Sequence, residues 1–329
     1  MTLYPIYDNT TTALREVAIG VEKLEESLDF YRRDLGLEVV RWGSVSATEA
    51  RALWGLHEVF ETATVGRPGL QGAPVIRLVE SQGSPARAPS DTRTPGTLGI
   101  GFTTDAIDEV HARLGTTGLR FQSAPVELTP EPVAGETVGP RRFEAFGQAP
   151  DGEFIVLIER RNSPEPYGTI TGPWRTSEPL HCSHIVADRA AAGRFMEQAL
   201  DHEVLFEEEL GGPELDRLMG LPAGSRLGFQ MLAHPRFATG RIIFIEYPEL
   251  DATPTFIEPP TRGLHALRYD CRDLDIGLAR VIEAGGEILR EPASLTCPAL
   301  GSGRVATIRS PIGVLLELWQ ETTDDGDPR

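Results

Sequence analysis

Apolar residues in this chain recur with two periods, and the periods alternate along its length. Residues 14–21 alternate as a strand does. Residues 24–35 place Leu24, Leu28, Tyr31 and Leu35 at helical spacing, and Gly36 follows where a helix stop is expected. Strand character returns at 37–42, a short helix is predicted over 48–56, and a strand over 75–79. The order of strand, helix and later strands then restarts. A strand at 100–103 precedes a helix over 107–114, ended by Gly118, with strands at 133–144 and 153–158. A third start has a strand at 181–186, a helix over 190–200, and strands at 203–207, 228–232 and 242–247. The fourth has a strand at 266–271, a helix over 274–284, and strands at 287–290, 304–308 and 314–319.

The rhythm is also a repeat in residue identity. Residues 30–39 read Phe-Tyr-Arg-Arg-Asp-Leu-Gly-Leu-Glu-Val, and residues 195–204 read Phe-Met-Glu-Gln-Ala-Leu-Asp-His-Glu-Val. The same offset carries Leu53-Trp54-Gly55-Leu56 onto Leu218-Met219-Gly220-Leu221. An internal repeat of this kind fixes architecture before any single element does. It predicts two domains, residues 1–162 and 179–329, each of two modules. The linker, 163–178, is marked by Pro164, Pro166, Gly168, Gly172 and Pro173. Two further connectors, 81–95 and 249–263, are rich in proline or small polar residues.

Composition narrows the function. Of 329 residues, 49 are acidic and 31 basic, for a net charge of -18. Such a surface repels nucleic acid and anionic lipid, so no nucleic-acid partner is expected. No run of about 18 apolar residues offers a membrane span. Cys182, Cys271 and Cys297 form no CxxC pair, which gives neither a zinc ribbon nor a disulfide framework. A cytoplasmic protein acting on a small molecule is the expectation, with a homodimer left open.

The segment 17–24, Val-Ala-Ile-Gly-Val-Glu-Lys-Leu, followed by 28–37, Leu-Asp-Phe-Tyr-Arg-Arg-Asp-Leu-Gly-Leu, resembles the vicinal oxygen chelate superfamily. That superfamily includes glyoxalases, bleomycin resistance proteins and extradiol dioxygenases. Pro150-Asp151-Gly152 and the stretch 310–318, Ser-Pro-Ile-Gly-Val-Leu-Leu-Glu-Leu, match it too. The resemblance implies an α+β fold: four βαβββ modules paired into two glyoxalase-like half-open barrels. It also implies metal ligands on the first and last strands of the modules, pointing into the cup.

Carried onto this chain, the first-strand position falls on Glu16, Gly99, His181 and Ala266 in the four modules. The last-strand position falls on Glu317 in module four and Val156 in module two. Module three offers Glu246, and module one has Arg77 and Val79. The resemblance therefore implies one divalent ion (Fe, Mn, Zn or Ni) held in the C-terminal half by His181, Glu246 and Glu317. Glu317 and Glu246 would also serve as catalytic groups. His184 and His265 stay open as replacements, and either Glu could instead pair with an arginine such as Arg268 or Arg304. His57, His111, His202 and His234 are expected at the surface. Val305 and Ile308 stand where extradiol dioxygenases carry a His and a Tyr, which argues against ordinary ring cleavage. Two functions follow: a metal-dependent enzyme of dioxygenase, lyase or isomerase type acting on vicinal oxygens, or a metal-free protein that sequesters a hydrophobic small molecule.

Overall fold

The computed structural model describes residues 10–70, 72–80, 86–87, 91–128, 141–161, 163, 167–250 and 256–322. Module one holds β1 (Glu16–Val21), α1 (Leu24–Asp29), β2 (Glu38–Val45), α2 (Ala47–Trp54), β3 (Phe60–Gly66) and β4 (Val75–Glu80). Module two holds β5 (Gly96–Thr103), α3 (Ile107–Gly115), β6 (Arg120–Phe121), β7 (Val126–Leu128), β8 (Arg141–Gln148) and β9 (Phe154–Arg161). Module three holds β10 (His181–Ile185), α4 (Arg189–Leu200), β11 (Glu203–Gly211), α5 (Pro213–Met219), β12 (Arg226–Ala233) and β13 (Arg241–Glu246). Module four holds β14 (Gly263–Asp270), α6 (Leu274–Glu283), β15 (Glu287–Cys297), β16 (Gly301–Arg309) and β17 (Leu315–Glu321). The predicted strand at 133–144 lies outside the described residues up to 140, and its remainder opens β8.

One device starts the first helix of every module. The side chain near the end of the module's last strand accepts the first helical N–H, which has no partner within the helix. Glu80 receives it from Leu24 at 2.5 Å, Glu159 from Ile107 at 3.0 Å, Glu246 from Arg189 at 3.3 Å and Gln320 from Leu274 at 3.5 Å. Asp188 and Asp273 add side-chain caps to α4 and α6. In module one, α1 runs on into a π-helical turn, Phe30–Asp34, that ends at Gly36. Gly36 has φ +69°, and a Cβ there would lie 2.3 Å from the Trp174 ring. Both its conformation and its neighbour thus require glycine.

The strands form two curled sheets of eight and nine strands. The first runs β15-β16-β17-β14-β1-β4-β3-β2, and the second β11-β12-β13-β10-β5-β9-β8-β6, with β7 also paired to β8. Four modules do pair into two half-barrels, but the expected pairing within each half is corrected. Module one closes on module four through the antiparallel ladder of β1 with β14. Module two closes on module three through β5 with β10. Each cup therefore takes one module from each half of the chain.

The helix-facing sides of both sheets share one apolar core, which includes Val17 and Ile19 from β1, Ile100 and Phe102 from β5, and Phe195 from α4. The described part of the linker is packed into the fold. Trp174 donates to the Arg33 carbonyl, and Arg67 reaches both the Gly36 and Thr176 carbonyls. Among the described residues no helix is long and apolar enough to cross a membrane.

Modules one and two also meet at a buried acid cluster. Asp151 accepts from the Ser27 hydroxyl at 2.6 Å and the Glu22 N–H at 3.1 Å. Tyr31 donates to Glu153 at 2.5 Å. Burial, reinforced by the charge of Asp151, pushes the Glu153 carboxyl from its ordinary 4.5 up to about 8.

Two outcomes follow from this architecture. Residues 1–162 expressed alone should lack a cooperative unfolding transition, because β1 and β5 each lose their central partner. Co-expression with residues 163–329 should restore it. A cooperative transition for the isolated half, by circular dichroism and urea, would contradict the cross-paired sheets. Glu153 binds its proton more tightly folded than unfolded, so its stabilising contribution is full below about pH 4.5 and is lost as pH rises through about 8. The melting temperature should therefore fall from pH 5.5 to 8.5, and Glu153→Gln should flatten that slope. Parallel profiles for the two proteins would exclude the assignment.

Candidate functional site

Side chains on the inner face of the first cup come from strands that are each half-polar. On β1, Val17, Ile19 and Val21 face the shared core, which turns Glu16, Ala18 and Gly20 into the cup. The β1–β4 ladder sets Ala18 beside Arg77, and the β14–β17 ladder sets Arg268 beside Glu317. With Glu16 matched to Ala266, Val75 matches Leu315 and Arg77 matches Glu317. The four positions at which the resemblance expects ligands in this cup are thus Glu16, Arg77, Ala266 and Glu317.

Three of those four form one buried ion bridge. Arg77 Nη2 donates to Glu317 Oε2 at 2.6 Å, and Arg77 Nε lies 3.2 Å from Glu16 Oε1. Exposure is 1% for Glu16 and Arg77 and 0% for Glu317, so neither water nor salt screens the contacts. Trp54 Nε1 donates to the other oxygen of Glu317 at 3.1 Å, and the guanidinium lies 6.0 Å from the Trp54 ring. Arg41 donates to Glu16 Oε2 at 2.7 Å and to the Leu300 carbonyl at 3.0 Å. Burial lowers the Arg77 pKa, but Glu317 and Glu16 together outweigh it and hold the guanidinium charged.

This arrangement does not fit a divalent ion. A metal needs free lone pairs on several anionic or neutral donors. Here both carboxylates face a fixed cation, and the fourth position is Ala266. Among the described residues, no three His, Cys, Asp or Glu side chains converge as a metal site requires.

The second cup carries the equivalent positions with different chemistry. His181 stands for Glu16, Ile243 for Arg77, Val156 for Glu317 and Gly99 for Ala266. Val156 and Ile243 belong to an apolar cluster with Met219, Phe229 and Ile245 that fills this cup. His181 lies over Gly101, where a Cβ would sit 1.8 Å from Cε1, and its Nδ1 is 3.5 Å from the Tyr167 hydroxyl. Burial, then Arg241 and Arg142, push its pKa down to about 3, so the ring is neutral.

The three expected ligands are therefore not brought together. His181 lies in the second sheet and Glu317 in the first. Glu246 shares a sheet with His181, but His181 pairs with Arg241, which puts Glu246 roughly 16 Å further along β13. Glu246 serves instead as the helix-start acceptor of module three, with Arg189 Nε 4.0 Å away. Glu317 does pair with an arginine, but with Arg77. Arg268 is engaged by Asp270 and Arg304 by Asp275. His184 faces the shared core beside Phe244. His57 is exposed and His111 half-buried, but His202 and His234 are buried, their rings edge-on 5.9 Å apart.

Of the open alternatives, His265 is the one delivered to the cup. It sits at a β-bulge, because Ala18 pairs with Ala266 while Ile19 pairs with Leu264. Its ring lies 6.2 Å from Trp54, and both ring nitrogens are buried without a partner. Burial, then Arg77, lower its pKa to about 3. Thr62 and Thr64 on β3 pair with Val79 and Arg77, and their hydroxyls are likewise buried and unpartnered, as is Arg77 Nη1. His265 also borders a crevice with Phe60, Val79 and Gly20, closed by Pro259, Pro260 and Thr261.

Comparison with known proteins agrees with this fold. The Glyoxalase/Bleomycin resistance protein/Dioxygenase superfamily matches residues 13–134. No curated protein matches the chain in sequence. Glyoxalase I from Zea mays superposes with a TM-score of 0.64 at 18% identity, covering 94% of this chain and 92% of that one. A presumed dioxygenase from Bacillus subtilis superposes at 0.56 with 13% identity, covering 97% and 89%. Residues 13–134 thus carry the sequence, and the chain as a whole the fold, of the vicinal oxygen chelate group that includes glyoxalases, bleomycin resistance proteins and dioxygenases.

Proposed function

We propose that the cup of modules one and four is a metal-independent binding site for a small, largely apolar molecule bearing a hydrogen-bonding oxygen. The observation that carries this reading is the cluster of buried, unpartnered polar atoms on its inner face: the hydroxyls of Thr62 and Thr64, both nitrogens of His265 and Nη1 of Arg77. Each such group costs about 1–3 kcal/mol when left unsatisfied. Trp54, Phe60 and Val79 surround them with apolar surface. Arg77 and Arg41 are both paired with the two carboxylates, Glu16 and Glu317, which leaves no surplus cation for an anionic ligand, so a neutral carbonyl or hydroxyl suits the cup best. The segment ending at Thr261 lies across its mouth, where a Cβ on Gly20 would meet the Thr261 carbonyl at 2.3 Å. Entry therefore requires that segment to shift.

The metal-dependent reading needs His181, Glu246 and Glu317 around one ion, and their separation gives it no support. The sequestration reading needs only an amphipathic cup.

Acetophenone, ethylbenzene and benzoate form a matched probe set for this site, read by ligand-observed NMR. Acetophenone should bind, and ethylbenzene, which lacks the oxygen, should bind at least about tenfold more weakly, as one or two lost hydrogen bonds imply. Benzoate should also bind more weakly than acetophenone. Thr62→Val with Thr64→Val, and separately His265→Phe, should bring acetophenone toward ethylbenzene. Equal affinity of the variants for acetophenone, or no binding of any probe, would remove this cup as the site.

A further inference from the structure

The bridge in the first cup poses a question that does not depend on which molecule the cup binds. Two carboxylates from strands of opposite halves, Glu16 and Glu317, point into one buried space. Such charges persist in a protein interior only when a cation and hydrogen bonds compensate them. Here that cation is a side chain, Arg77, which touches both carboxylates at 3.2 and 2.6 Å. By register Arg77 stands in module one where Glu317 stands in module four. Two further guanidinium groups border this level, but neither bridges the two carboxylates: Arg41 reaches only Glu16, at 2.7 Å, and Arg268 is paired with Asp270. Ala266, Thr64 and the neutral ring of His265 carry no charge.

We infer that Arg77 is the resident cation of the cup: its guanidinium fills the place between Glu16 and Glu317 that a divalent ion would otherwise take, so the cup excludes metal and lies one substitution from binding it. Arg77→Glu would replace the cation by a third carboxylate among Glu16, Glu317 and His265. Three anionic oxygen donors with a nearby imidazole suit Mn(II), Co(II) or Zn(II). The second cup offers no such conversion, because Val156 and Ile243 hold the corresponding positions.

The test uses the full chain without a histidine tag, as wild type, Glu317→Gln, Arg77→Glu, and Arg77→Glu with Glu317→Gln. Each is incubated with Co(II) or Mn(II), desalted and analysed for metal. The wild type should retain almost none. Arg77→Glu should retain about one ion per chain, with the visible absorption of low-symmetry Co(II). Adding Glu317→Gln should weaken that binding at least about tenfold, which separates the cup from weak uptake by the acidic surface. If Arg77→Glu fails to fold alone, its refolding with Co(II) or Mn(II) is followed by circular dichroism, and recovery of the wild-type spectrum supports the inference.

Three results would overturn it. One is a wild-type protein that retains an ion lost on Glu317→Gln. Another is a folded Arg77→Glu protein that retains no ion. The third is an Arg77→Glu protein that stays unfolded with both metals. A positive metal result alongside negative probe binding would leave the resident-cation assignment standing and reject the small-molecule reading, and the reverse pair would do the opposite.

Discussion

A guanidinium held between two buried carboxylates ties this molecule together. Arg77 and Glu16 come from module one and Glu317 from module four, so the bridge forms only when the chain's two ends close into one sheet. Removing one partner of such a bridge leaves an uncompensated charge in the interior, which typically costs about 3–5 kcal/mol. The same contacts decide the chemistry of the cup. They engage both carboxylates, orient Trp54 and leave two guanidinium nitrogens and three neighbouring side chains with unused hydrogen-bonding capacity.

The two cups show what one scaffold does with different residues at matched positions. Where the first has Glu16, Arg77 and Glu317, the second has His181, Ile243 and Val156. The second cup consequently holds apolar side chains at two of these positions, with a neutral histidine lying against a glycine, close to the Tyr167 hydroxyl and under the influence of Arg241 and Arg142. Fold and site are separable here: the ladders correspond, while the side chains at the matched positions differ in charge and polarity.

Much of the fold was legible because it is written locally. Helix and strand periods located nearly all the elements, and Asp188 and Asp273 cap α4 and α6 where those helices were expected to begin. Strand β3 went unread because its inward residues are Thr62 and Thr64, which break the apolar alternation while building the cup. Helix α5 was short and signalled only by the repeat. The site was half legible. The inward positions of Glu16, His181 and Glu317 came from the family resemblance, and His265 was among the open alternatives. What local pattern does not carry is which module closes on which. Pairing within halves put His181 with Glu317, whereas the ladders put Glu16 and Arg77 there. Glu246 misled for a related reason. The resemblance placed it on a last strand as a ligand, but it belongs to a fourfold set, with Glu80, Glu159 and Gln320, that receives the first N–H of a helix.

A double-mutant cycle between Arg77 and Glu317 tests the central claim most directly. Arg77→Met, Glu317→Leu and the two combined would be unfolded in urea with matched protein concentrations. The account expects each single change to cost about 3–5 kcal/mol and the pair to cost clearly less than their sum, because the double variant leaves no unpaired partner across that contact. Costs that simply add would show that the two side chains do not depend on each other, and the bridge would lose its place at the centre of the structure.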